Sequence, residues 1–354
     1  MNLKTIQINT ALPGKARSRI LIIYTGGTFG MMTDKDGVLI PFDFASIIEH
    51  LPALKNLHLE ITVVSFESPI DSSNINPSHW QLIGKIIYEH YDENDGFLVL
   101  HGTDTMAFTA SAMSFMLEGL QKPVVFTGAQ LPISEPRSDA RENLITALDI
   151  VSSRRDGKTL VPEVCIYFDY ELLRGNRSKK TESMQFDAFD SGNYPLLAKV
   201  GVKIDYNFSA IRPLPSDDKL VLRSKIDPNI SILKLFPGIT QGTVNAILNT
   251  PGLKAVVLET YGSGNAPTLP WLMEELQRAI ERDIIVVNIS QCGGGRVLQG
   301  RYETSKKLQQ IGVIGGADMT TEAAVTKLML LLGEYGTAKT KSLIGLSLAG
   351  ELTA

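Results

Sequence analysis

Three polar clusters in this chain carry side chains suited to chemistry, and each follows an apolar run. They are TGGT (Thr25 to Thr28), DSSNINPSHW from Asp71, and HGTDT (His101 to Thr105). The glycine pair of the first cluster suits either a phosphate cradle or the mount of a nucleophile. A cradle needs amides that face an anion, and Gly26, Gly27 and Gly30 supply part of one. TGGTFG nevertheless fits neither G-x-G-x-x-G nor G-x-x-x-x-G-K-[ST], and no acidic ribose partner stands at the right distance. A hydroxyl nucleophile needs an exposed mount, a proton acceptor and donors for an oxyanion. Thr28, Thr103, Asp104 and the unhindered amides of these loops meet those needs. No G-x-S-x-G competes with them.

The elements that must position these clusters alternate between buried runs and helical spacing. Strands are predicted at Ile20 to Tyr24, Leu59 to Ser65, Phe97 to Leu100, Val124 to Thr127 and Glu163 to Phe168, with helices over Ser78 to Tyr91 and Ala140 to Val151. Such alternation implies an α/β fold with a mostly parallel sheet, and parallel sheets bind ligands at the carboxyl ends of their strands. All three clusters fall at such ends and can share one crevice. YNFSAIRPLPSDDKL, from Tyr206, collects prolines and paired aspartates and reads as a connector. Beyond it strands are predicted at Ile230 to Phe236, Ala255 to Leu258 and Ile284 to Ile289, with helices over Thr243 to Leu248, Leu269 to Arg282 and Thr321 to Leu332. The expected organisation is a larger N-terminal domain (1–205) whose sheet is flanked by helices, a linker (206–227) and a smaller C-terminal α/β domain (228–354).

Composition narrows the partners. With 354 residues, 44% hydrophobic and 20% charged, the chain can bury a large core. Its net charge of -4 and scattered basic residues give no stripe for nucleic acid or an anionic membrane, so a small solute is the expected partner. The N-terminus lacks the apolar core of a secretory signal, and no window approaches the roughly twenty apolar residues of a membrane span, which points to the cytoplasm. Cys165 and Cys292 lie in no metal or redox spacing and read as structural thiols, Cys292 as a buried small residue.

Taken in order, TGGTFGM, DSSNINPSHW, HGTDTMAFTASAM, FTGAQ, RGNRSKKT, FPGIT, ETYGSGNAP and GVIGGADMT resemble the L-asparaginases of the bacterial cytoplasmic type I group across nearly the whole chain. The resemblance implies a two-domain α/β subunit, a homodimer that pairs into a homotetramer, and hydrolysis of L-asparagine to aspartate and ammonia with neither metal nor other cofactor. It places the nucleophile on Thr28 and a second pair on Thr103 and Asp104, with Lys180 rather than Lys179 as the catalytic lysine. Asp104 then binds the substrate's ammonium, and the loop of Asp71, Ser72 and Ser73 holds its carboxylate. Lys180 polarises Thr103 as a proton relay. His101 is expected to be a hydrogen-bonded structural residue.

One departure stands out. Many members of the group carry a tyrosine in the loop after TGGT, where this sequence has Val38, and Tyr302 from a neighbouring subunit is the candidate replacement. Two alternatives remain: a glutaminase or broader amidase, since one methylene in a pocket discriminates by only about 1–3 kcal/mol, and a noncatalytic amino-acid sensor. A tRNA-dependent amidotransferase subunit shares the motifs, but an extra N-terminal domain and a basic surface are expected of it.

Overall fold

The computed structural model describes residues 3–11, 14–33, 39–41, 51–215, 219–301 and 303–353. Two compact units divide the chain: Met1–Asp190 with Pro195–Leu222, and Ser191–Tyr194 with Arg223–Ala354.

In the first unit nine strands form one sheet: β1 (Leu3–Asn9), β2 (Ser18–Tyr24), β3 (Leu59–Phe66), β4 (Gly96–Leu100), β5 (Val124–Thr127), β6 (Val164–Phe168), β7 (Glu171–Arg174), β8 (Ala198–Val200) and β9 (Ile204–Tyr206). Their spatial order is β1-β3-β2-β4-β5-β6-β7-β8-β9. The five central strands, β3, β2, β4, β5 and β6, run parallel, while β1 closes one edge and β7 to β9 the other in antiparallel pairings. The sequence explains the division. ILIIY and GFLVL are buried residue after residue, as strands covered on both faces must be. β1, LKTIQIN, is mostly exposed and suits an edge.

Among the described residues three helices cover this sheet: α1 (Pro77–Glu89), α2 (Met106–Met116) and α3 (Ala140–Ser152). α3 packs on β2, β4 and β5, and α2 on β5, β6 and α1. Asn76 starts α1 with a capping box: its side chain accepts from Ser78 N–H at 3.0 Å, and its own N–H donates to His79 Nδ1 at 3.1 Å. Pro77 at the first position fixes the helical φ. Val221–Leu222 pairs with Leu117–Glu118, so the stretch from Pro195 through Leu222 belongs to the first unit. A buried ion pair ties this region down further: Glu163 accepts from Arg174 Nε at 2.6 Å and from Arg212 N–H at 2.8 Å.

The second unit holds four parallel strands in sequential order, β10 (Ile230–Lys234), β11 (Ala255–Thr260), β12 (Ile285–Ser290) and β13 (Ile314–Gly315). Its helices are α4 (Gln241–Leu248), α5 (Pro270–Glu281), α6 (Glu303–Gln310) and α7 (Thr321–Leu343). Leu233, Val256, Leu258, Leu272, Leu276 and Val286 form the centre of its core. The stretch Thr321–Leu343 is two helices that meet at Gly336, whose φ of 71° and ψ of 178° are non-helical, so the first of them ends only a few residues past the expected Leu332. Among the described residues no helix is long and apolar enough to cross a membrane.

The segment after α7 is anchored by a buried charge pair. Lys327 Nζ lies 2.6 Å from Glu351 Oε1, both side chains fully buried, and also donates to the carbonyls of Ile344 at 2.8 Å and Leu346 at 2.5 Å. Glu351 in turn accepts from the N–H groups of Leu348 and Ala349. Removing one member of such a pair leaves the other charge buried and unmatched. Glu351→Ala is therefore expected to cost about 3–5 kcal/mol in urea unfolding, whereas the exposed pair's variant Lys85→Ala should shift the curve by less than about 1 kcal/mol.

Candidate active site

β2 and β4 lie side by side with Tyr24 opposite Leu100, so the TGGT and HGTDT loops leave the same end of the sheet together. Thr25 secures the join by donating its N–H and its hydroxyl to the Leu100 carbonyl, at 3.0 Å each. Beyond it the loops touch backbone to backbone. Gly27, at φ +86°, faces the N and Cα of Gly102 so closely that a side chain at 27 has no room. Gly102 lies equally close to the Ser72 side chain, and Gly26 to the backbone of Ile70. The loops after β2, β3 and β4 thus meet at one point.

Thr28 opens a single 3-10 turn, Thr28–Gly30, and is half-buried, with Phe29 and Gly30 buried behind it. Ser72 is buried at the start of the turn Ser72–Asn74, and its carbonyl accepts from the Thr105 hydroxyl at 2.6 Å. Asp71 and Ser73 are exposed. Asp71 Oδ1 accepts from both the N–H and the hydroxyl of Ser73 at 2.9 Å, and these bonds hold its carboxyl below the usual carboxylate range.

Lys180 reaches the site from a remote part of the chain. Lys179–Lys180 pairs with Phe189–Asp190, and the alternation of an extended strand leaves Lys179 exposed while Lys180 turns inward. Lys180 Nζ donates to Thr103 Oγ1 and to Asp104 Oδ1, each at 2.7 Å. Its side chain is 18% exposed and that of Asp104 63%, so the cation is shielded while the carboxylate stays open to a ligand. Thr103, Asp104 and Lys180 are therefore one hydrogen-bonded group. Tyr302 and Val38 lie outside the described residues.

Beneath this group His101 is fully buried and organises the peptide in front of it. Its Nδ1 is 2.7 Å from the Gly102 carbonyl, which can only accept, so Nδ1 carries the proton. Nε2 then accepts from Thr109 Oγ1 at 3.0 Å, and Thr109 accepts from Trp80 Nε1 at 3.1 Å. In a trans peptide C=O and N–H point oppositely. With the Gly102 carbonyl turned onto His101, the Thr103 N–H points away from that ring.

The family model for the N-terminal part of asparaginase matches residues 19–212, and that for the glutaminase/asparaginase C-terminal domain matches residues 229–342. The chain belongs to the asparaginase family. It is 41% identical to L-asparaginase 1 of Escherichia coli K12, over 95% of this chain and 98% of that one. The structure of L-asparaginase I from Vibrio cholerae superposes with a TM-score of 0.85 at 38% identity, covering 96% of this chain and all of the other. The 60 kDa lysophospholipase of Mus musculus is also 41% identical over 95% of this chain, but this chain spans only 62% of its length.

Within this asparaginase-family site, two residues that the sequence had not singled out join the network. Thr105 bridges to the Ser72 carbonyl, and Gln130, from the FTGAQ segment after β5, accepts from Thr103 Oγ1 at 3.2 Å. A glutamine at a strand end has no distinguishing spacing, and only its motif membership could have drawn attention to it. Cys292 corrects an expectation: it is exposed, not buried, because the glycine-rich SQCGGGR turn runs over the surface. Cys165 is buried. Among the described residues no group of three or more His, Cys, Asp or Glu side chains is gathered to hold a metal ion.

Burial pushes the His101 imidazole down to about 4 from the usual 6.5, against a smaller opposing effect of the Gly102 carbonyl. Below pH 6.5 the unfolded chain takes up a proton that the folded imidazole refuses, so stability must fall as the pH drops from 6.5 to 4. The full effect is about 3 kcal/mol. Urea unfolding at pH 7 and pH 4.5 should show this loss in the wild type and a much flatter dependence in His101→Gln.

Proposed function

We propose that this chain hydrolyses the side-chain amide of L-asparagine to L-aspartate and ammonia through a threonine ester. The observation that carries this reading is the Lys180 bridge to Thr103 and Asp104 beside the point where the Thr28 loop meets the HGTDT loop. Asp104 keeps Oδ1 on Lys180 and offers its exposed side to the substrate ammonium, while Ser72 and neighbouring amides of the Asp71 to Ser73 turn take the carboxylate. That fixes the side-chain amide toward Thr28.

Thr28 Oγ1 then attacks the amide carbon. The C–N bond breaks, the hydroxyl proton leaves with the amine as ammonia, and an aspartyl ester remains. Water attacks the ester carbon, returns a proton to Thr28 and releases aspartate. The Thr103 N–H supports the oxyanion, and the Thr103 hydroxyl, held by Lys180, relays protons. Activation of Thr28 is assigned to the Tyr302 hydroxyl of a neighbouring subunit in a cytoplasmic homodimer or homotetramer.

The described side chains bonded to one another at this site carry hydroxyl, carboxylate, ammonium and amide groups. Such groups suit a small zwitterion better than the acyl chain of a lysophospholipid. Ammonia release from asparagine and glutamine, beside fatty-acid release from lysophosphatidylcholine, tests the choice. Fatty-acid release without ammonia would sink the amidohydrolase reading.

Two substitutions test the roles. Thr28→Ala should lower kcat by at least about four orders of magnitude while asparagine binding, read by calorimetry, survives. Near-normal turnover in the folded variant excludes Thr28 as nucleophile. Asp104→Asn should lower kcat/KM for asparagine by about 10- to 100-fold, the worth of one charged hydrogen bond, and should lower it much less for succinamic acid, which lacks the ammonium. Equal losses on both substrates would remove Asp104 from recognition.

A further inference from the structure

We propose that Gln130 is a positioning residue that dictates which way the Thr103 hydroxyl faces, so that Thr103 presents an acceptor and not a donor to the cleft. The proposal rests on the reading of Thr103 as a relay. Its basis is the unequal chemistry of the two ends of the Gln130 side chain. Nε2 can only donate, and it donates to two main-chain carbonyls, Gln185 at 2.9 Å and Ser183 at 3.4 Å. These two bonds exclude a flipped amide, because Oε1 in their place would face oxygen with oxygen. Oε1 therefore points at Thr103 Oγ1, 3.2 Å away, and can only accept.

The consequence for Thr103 is complete. Its hydroxyl has one proton and two lone pairs. The proton goes to Gln130, and Lys180 Nζ, itself only a donor, occupies one lone pair at 2.7 Å. One lone pair is left. A water about to attack approaches with its hydrogens, and an acceptor is what it requires. Without Gln130 the hydroxyl can rotate and offer its proton to the cleft instead.

The mount of Gln130 is built for such a task. Its backbone N–H donates to both oxygens of Asp139, at 3.1 and 3.0 Å, and the Leu131 N–H to one of them at 3.1 Å. Asn143 Nδ2 bonds the same carboxylate at 3.2 Å and the Gly128 carbonyl at 3.0 Å, closing the loop between β5 and α3 on itself. Gln130 also clasps the hairpin that carries Lys180, since Ser183 and Gln185 lie between the paired strands Lys179–Lys180 and Phe189–Asp190. Donor and acceptor of the Thr103 hydroxyl are thereby held in one frame.

Gln130→Met keeps length and volume and removes both polar ends. In steady-state asparagine hydrolysis it should lower kcat about 10- to 100-fold with KM within about twofold. A parallel cycle of Thr103→Val, Gln130→Met and the double variant in urea unfolding reads the bond without turnover: the double variant's midpoint should fall no further than that of the worse single variant. An unchanged kcat, or midpoint shifts that simply add, overturns the proposal. So does a variant in which KM rises as steeply as kcat falls while the midpoint drops, since that marks a general loosening. If the wild type releases ammonia from neither asparagine nor glutamine, the proposed reaction fails, and the unfolding cycle still decides by itself whether Gln130 holds Thr103.

Discussion

The close approach of Gly27 to Gly102 is the constraint on which the site depends. Two adjacent parallel strands deliver their loops to the same place, but only backbones without side chains can bring those loops into contact. Gly27 meets a second demand through its positive φ, a conformation costly for any residue with a Cβ. Gly102 has no positive φ, and space alone explains it, because the Ser72 side chain fills the volume that a Cβ would need. Each contact sets a hydroxyl beside it: Thr28 follows Gly27, Thr103 follows Gly102, and Ser72 is itself the neighbour. The scaffold thereby brings together the loop segments that carry these three hydroxyl residues.

Exposure separates the charge pair of the site from the charge pairs that hold the fold. Arg174 with Glu163 and Lys327 with Glu351 are buried, and their remaining lone pairs and protons are spent on backbone groups. Such pairs anchor a segment and have nothing left to offer a ligand. Lys180 with Asp104 is asymmetric, with the cation half-buried and the anion open. A pair of that kind contributes little to stability. What the pair does is hold the lysine in one place, with its ammonium already bonded to Thr103 and Asp104.

The parts of the fold legible in the sequence are those where burial is uniform or the turn chemistry is sharp. β2, β4 and β5 appear as apolar runs cut off by polar clusters, and the structure places their ends within a residue or two of the expected positions. α2 escaped notice for a physical reason: MAFTASAMSFM is buried nearly all round, so it carries no stripe of helical period. The edge strands β1 and β7 to β9 are short or exposed and take their pairing from neighbours, which no local pattern encodes. Thr28, Thr103 and Asp104 were readable because their loops follow strands. Lys180 was readable only through family resemblance, since a lysine in a two-residue strand looks like any surface lysine. The alternation that turns it inward depends on its pairing with Phe189–Asp190.

Hydrogen-bond polarity carries information that position does not. A hydroxyl is ambiguous, able to donate or accept, and a site that relies on one must remove the ambiguity. Around Thr103 this is achieved by partners with fixed roles. Lysine only donates, and an amide oxygen only accepts once its nitrogen is committed to carbonyls. The same logic operates beneath the site, where the Gly102 carbonyl fixes the tautomer of His101 and the bare Nε2 of that tautomer takes the Thr109 proton. Both chains end at residues 102 and 103, one on the peptide and one on the side chain. The orientation of the amide and the orientation of the hydroxyl are therefore set by different partners, His101 for the one and Gln130 with Lys180 for the other.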